Sequence, residues 1–228
     1  MTAFADLMAR EEPALAPLLE SLSDEIATAS AIPVEERVIR RDRLAEWTAG
    51  EADRLEALRG CTPSVRLDEL HRGVAAQFEM GAKSPRDTRL RALRPEEVCA
   101  RRSGHPVVVA ALVAAVAEQA GLPIGIATSA SGGPVLLAHR GAPQAGAIIF
   151  GAGERVDVDE VAEQGRWRWI CAHEVAAVLL ELMAERSREL GLHPVHVAAR
   201  RLTTLLPLAR QARERGRVDL ARAMAAYN

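Results

Sequence analysis

Three side chains near the middle of the chain are of types that do thiol chemistry: Cys99, His105 and His139. If the fold joins them, an imidazole takes the thiol proton and the thiolate attacks an amide or thioester carbonyl. The competing expectation is that Cys99 is a small core residue and His139 ends a strand at the surface. His105 stands just ahead of a helix start, where a neutral imidazole suits an anionic or polar ligand. Residues 83–102 hold seven basic side chains (Lys83, Arg86, Arg89, Arg91, Arg94, Arg101, Arg102) against three acids (Asp87, Glu96, Glu97). That stretch reads either as a solvated loop paired with the acidic N-terminal helices or as an anion-binding lip. In the second case Arg86, Arg101, Arg102 and His105 are the candidate contacts for a phosphate, a carboxylate or an acidic partner.

Other constellations point away from metals and cofactors. Cys61, Cys99 and Cys171 form no CxxC pair, so neither a zinc knuckle nor a disulfide framework is expected. Cys171 and His173 are two apart and face different sides of a helix. His193 and His196 share a helix face with no third ligand in view, and no metal is expected. Gly151-Ala152-Gly153 lacks the strand–turn–helix setting and the lysine of a phosphate loop, and reads as a hairpin turn. No cofactor is expected.

The elements that must position these residues follow from periodicity. Residues 15–22, 33–58 and 67–80 carry apolar side chains at helical spacing, the last with Leu67, Leu70, Val74 and Phe78 on one face and Gly81 as its stop. Residues 83–94 read as a loop, with a short helix after Pro95. Residues 107–120 hold a single charge, Glu118; a helix apolar all round is a buried central helix, and Pro106 fits its first turn. Short apolar runs at 124–129, 134–139, 147–150 and 155–158, separated by glycine and proline, predict three or four antiparallel strands in hairpins. Residues 167–190, 194–215 and 218–227 read as three helices. Helices and strands segregated in this way make an α+β chain. The expected divisions are an N-terminal helical segment (1–95), a helix-plus-sheet core (96–162) and a C-terminal helical segment (163–228), packed as one unit.

The stretch Val98-Cys-Ala-Arg-Arg-Ser-Gly104-His-Pro106-Val-Val-Val-Ala-Ala-Leu112, followed by Ala120-Gly121-Leu-Pro123, resembles the SirB-type branch of the transglutaminase-like proteins. Phe78, Gly81, Pro85 and Arg86-Asp87 fall in places comparable to that branch's upstream motif. The resemblance covers residues 15–207, with its core at 98–140. It implies a transglutaminase-like (papain-like) core, a buried helix on a small antiparallel sheet flanked by helices. Active members of the superfamily carry a cysteine at the start of the buried helix, then a histidine and an aspartate on the following strands. Here the matching positions hold Pro106, Pro134 and Phe150. The resemblance therefore implies a noncatalytic protein that binds a partner protein or a small ligand as an accessory or regulatory component. The alternative is an enzyme acting on an amide or thioester with displaced residues, Cys99 with His105 or His139. A third reading is a helical interaction module whose sheet is scaffold.

Composition narrows the class. The chain has 228 residues and a formal net charge of −2, with 3% aromatics and a single lysine, Lys83. That balance gives no pull toward nucleic acid, and one Tyr with three Trp leaves little for base stacking. The apolar run at 106–117 is too short to span a bilayer, and residues 1–20 lack a signal-peptide pattern. A soluble, reduced, cytoplasmic protein is expected, with the Ala-rich helices open to self-association.

Overall fold

Ten consecutive residues, Val108 to Ala117, are buried in one helix, and the other elements are explained by how they cover it. The computed structural model describes residues 3–78, 90–129, 135–150, 154–156, 167–207 and 210–226. In chain order its helices are α1 (Ala3–Met8), α2 (Leu15–Ala29), α3 (Val34–Leu55), α4 (Pro63–Gly73), α5 (Pro95–Arg101), α6 (Pro106–Gln119), α7 (Ala172–Glu189), α8 (His193–Thr203) and α9 (Arg210–Ala225). The strands are β1 (Ile124–Ser129), β2 (Val135–His139), β3 (Ala147–Phe150), β4 (Glu154–Val156) and β5 (Trp167–Ile170). The fold is α+β: helices pack on the buried α6, which also lies against β1, β2 and β3. One apolar core runs through these layers, from Phe4 in α1 to Leu206 beyond α8.

Helix α6 works as a central element because it is built of Val, Ala and Leu with no polar face to direct toward water. Its ends are fixed by local chemistry. Pro106 occupies the first turn, where a missing N–H costs nothing. Gly121 takes φ +71° after the last turn, and Leu122 N–H reaches back to Ala117 O at 2.9 Å.

The sheet has five antiparallel strands in the order β4-β3-β2-β1-β5. The fifth corrects the helix expected to begin at Trp167. Residues 167–170 pair with β1, from Ser129 opposite Trp167 to Ile126 opposite Ile170. Trp, Trp and Ile are good strand formers, and β1 has a free edge on that side. Helix α7 starts at Ala172, because the Cys171 backbone is extended and its N–H donates to the Glu174 carboxylate at 3.0 Å. That reciprocal cap sets a boundary which helical periodicity alone runs through. On the sheet face away from α6, Ala127, Leu136, Ala138, Ala147 and Ile149 form a separate small buried cluster.

Two further helix boundaries differ from expectation. The third helix is α4, beginning at Pro63 and ending at Gly73 with a single 3₁₀ turn after it (Ala75–Gln77). Leu67, Leu70, Val74 and Phe78 are nevertheless all buried. The expected stop at Gly81 and the loop from Lys83 through Arg89 lie outside the described residues. The helix expected over 194–215 ends at Thr203, where the hydroxyls of Thr203 and Thr204 donate to carbonyls of the last turns, and Pro207 follows. Helix α9 then runs through Gly216, the expected break. Among the described residues no helix is long and apolar enough to cross a membrane.

Candidate functional site

The segment joining α5 to α6 is held from several sides. Arg102 caps α5 in the left-handed conformation, φ 52° and ψ 31°, unusual for a residue with a side chain. Gly104 passes so close to Val98 that an added Cβ would lie 2.3 Å from a Val98 methyl. His105 N–H donates to Ala92 O at 2.9 Å, and His105 Nδ1 accepts from Val107 N–H at 3.3 Å, capping α6. The position that the resemblance assigns to a nucleophile is therefore a proline ring at a capped helix start. Phe150, assigned to the aspartate, is buried at the end of β3 opposite Val135. Pro134 lies outside the described residues.

The three residues of the displaced-enzyme reading are separately engaged. Cys99 is buried in α5, and desolvation pushes its thiol up to about 11 despite the opposing pull of Arg102. His139, buried at the end of β2, accepts from Arg66 Nη1 at 3.1 Å through Nε2, since a guanidinium can only donate. Its Nδ1 then carries the proton and has no hydrogen-bond partner. Burial lowers the pKa of both His105 and His139, and at His139 the Arg66 charge adds to the effect. Each ring has its basic nitrogen occupied, and no hydrogen bond joins Cys99 to either. Of the anion-binding candidates, Arg101 is exposed at the end of α5 and Arg86 lies outside the described residues. His105 turns to its own helix, and Arg102 alone faces a cavity.

That cavity, about 440 Å³, opens between α3 and the α5 hinge. Its α3 wall comes from one helical face: Glu36, Ile39, Arg40, Arg43, Leu44 and Trp47 recur at intervals of three and four. The opposite wall is Glu96, Glu97, Cys99 and Arg102. The Arg102 guanidinium lies 4.9 Å from the Trp47 ring centroid and 5.6 Å from that of Phe78, and the two rings meet edge to face at 5.7 Å. Arg40 ties the walls together through ion pairs to Glu36 and Glu97. Burial works against the Arg40 charge, but these carboxylates outweigh it and hold its pKa above the ordinary value. Glu96 is ion-paired with Arg94, their side chains only 4% and 9% exposed.

Some polar atoms within the walls lack partners. Trp47 Nε1, Arg102 Nη1 and Glu96 Oε2 are sealed from solvent without a hydrogen-bond partner, while Glu96 Oε1 is held by its ion pair with Arg94. Arg43 and Arg102 make no ion pair among the described residues. A cavity of this size, lined by aromatic, apolar and charged side chains, has the dimensions of a small-molecule site. The helical spacing of apolar residues over 33–58 includes Leu44 and Trp47, and nothing in it connects them with Arg102. The spacing on α3 is visible in the sequence, but α5, more than fifty residues away, supplies the other wall.

A second cavity, about 330 Å³, lies where β1 and the start of α7 meet the segment before α2. Glu118, Arg140 and the exposed Cys171 line it. Glu118 is spent on Leu15 N–H at 2.9 Å, and Arg140 stacks over Trp169 at 5.9 Å. Cys171 as a helix cap had no sequence signal beyond Glu174 three residues on. Among the described residues no three His, Cys, Asp or Glu side chains converge as a metal site. No protein-family model, curated protein or solved structure matches the chain.

Proposed function

We propose that this chain is a noncatalytic binding protein on a transglutaminase-like core, an accessory or regulatory component whose working site is the cavity between α3 and α5. The observation that carries the reading is the state of Cys99. Its buried thiol, pushed up to about 11, is almost wholly protonated at neutral pH, and it has no imidazole to take its proton. The capped helix start at Pro106 supports the same reading, because the helix N-terminus that would favour a thiolate meets a proline instead. A small ligand is favoured over a protein partner because the site is a recess between two helices rather than an exposed face.

The test is turnover of an acyl thioester and of a glutamine-containing peptide by the full chain, with Cys99→Ala beside it. The expected result is no rate above the buffer blank for either protein. Turnover by the wild type that Cys99→Ala abolishes, with the variant still folded by circular dichroism, would overturn the reading.

A further inference from the structure

We infer that Arg66 and His139 form a pH-sensitive latch, in which proton uptake by the His139 ring loosens α4 and the turn before it from the end of β2. The latch is one guanidinium shared by three segments. From α4, Arg66 donates through Nη1 to His139 Nε2 at 3.1 Å, through Nε to Leu58 O at 3.1 Å and through Nη2 to Arg59 O. Both carbonyls belong to the 3₁₀ turn Glu56–Gly60 that follows α3, so a single side chain ties that turn and α4 to the sheet. Helix α4 otherwise meets this side of the molecule at β2, β3 and the 3₁₀ turn Pro143–Ala145.

A guanidinium only donates, so Nε2 is the bare nitrogen and Nδ1 carries the ring proton. The one nitrogen able to take a second proton is therefore the one that Arg66 uses. Uptake there removes the acceptor and sets an imidazolium against a guanidinium. The residue is only 7% exposed, so water and salt screen little of the repulsion. The surrounding elements supply no counter-charge, and the charge that acts on the ring is that of Arg66. On α4, Glu69 pairs with Arg72, while Asp68 and His71 leave the helix on other sides from Arg66. Arg59 is turned to Ala120 O and Glu56, and Arg140 stacks over Trp169. On β1 the residue opposite His139 is Ile124, and β3 and the turn Pro143–Ala145 carry no ionisable side chain. The one carboxylate of α6, Glu118, accepts from Leu15 N–H. Burial and the Arg66 charge both hold the His139 pKa below 6.5. The loosened state therefore takes up the proton first, and the latch is complete above about 6.5 and lost as pH falls below it.

The experiment is amide hydrogen exchange on the full chain between about pH 7.5 and about pH 5, the range over which a histidine titrates. Each rate is divided by the intrinsic chemical rate at that pH and read by mass spectrometry in residues 56–73, with α2, which has no histidine, as the reference. The expected result is exchange in 56–73 about tenfold faster relative to α2 at the acid end, the factor that one pK unit of linkage gives. His139→Gln keeps an acceptor for Arg66 on a side chain that does not titrate, and should hold 56–73 closed across the range. A second readout needs no variant: ¹⁵N spectra of the wild-type imidazoles should show His139 as the Nδ1–H tautomer at neutral pH, titrating below 6.5. No acid rise in 56–73 beyond that of α2 overturns the inference. A rise that His139→Gln keeps assigns the effect to His71 or another group and overturns it equally, as does a His139 ring that carries its neutral-pH proton on Nε2.

Discussion

The start of α6 and the cavity between α3 and α5 adjoin the same short segment, residues 101–106, and differ in how closely they are filled. At the start of α6, His105 caps the helix, Pro106 closes the first turn and Gly104 is pressed against Val98. Across the hinge, Arg102, Trp47 and Glu96 line about 440 Å³ of space that neither helix fills. Where the resemblance would place a reactive thiol, this chain has packing. Its open space lies one helix away. A space left unfilled between helices is costly and therefore informative, whereas a packed, capped helix start explains itself by stability alone.

The comparison predicts a hierarchy of effects. The largest belongs to the cavity wall. Arg94→Ala leaves the Glu96 carboxylate buried beside a lost cation, and loss of about 3 kcal/mol is expected in urea unfolding. Arg94→Ala behaving as a surface substitution would mean that the wall is not a sealed, charge-balanced structure. Next comes the packed side of the hinge. Gly104→Ala forces a methyl to within 2.3 Å of the buried, β-branched Val98, and about 2 kcal/mol should be lost. A Gly104→Ala protein as stable as the parent would show that the hinge has slack and weaken the contrast.

A smaller effect concerns pH. His105 caps α6 only while Nδ1 is unprotonated, and His139 accepts from Arg66 only while neutral. Both folded-state pKa values lie below the ordinary 6.5 because of burial. The unfolded chain therefore takes up the protons first. This stability is fully present above about 6.5 and is lost as pH falls below it. His105→Asn keeps a capping oxygen without a titrating ring. It should hold neutral-pH stability to within about 0.5 kcal/mol and lose less on acidification. Chemical denaturation at a series of pH values checks this, and an unchanged acid slope in His105→Asn would remove His105 from the explanation.

Much of this framework was legible in the sequence. A run of Val and Ala with one charge has only a buried helix as its stable use, so α6 followed from composition. Strands β1, β2 and β3 followed from apolar runs bounded by glycine and proline. Strand β5 was hidden because its four residues continue into an amphipathic helix. Their conformation is decided by pairing with β1 and by the Cys171–Glu174 cap, not by local preference. The cavity was half visible. Arg102 stood out by charge, but residues 33–58 read only as a helix with an apolar face until α5 was set against α3. A site made by two distant segments leaves no spacing to read, and only the three-dimensional contact reveals it.

The account turns on Cys99 being a core residue rather than a nucleophile, and the pH dependence of its alkylation tests this most directly. Iodoacetamide labelling of the native chain, resolved by mass spectrometry for each cysteine, is predicted to reach the exposed Cys171 first, Cys61 next and Cys99 last. The Cys99 rate should still be rising in the alkaline range, toward its pKa of about 11. Cys99 labelled ahead of Cys171, with a rate that levels off near neutral pH, would contradict the account and restore the enzyme.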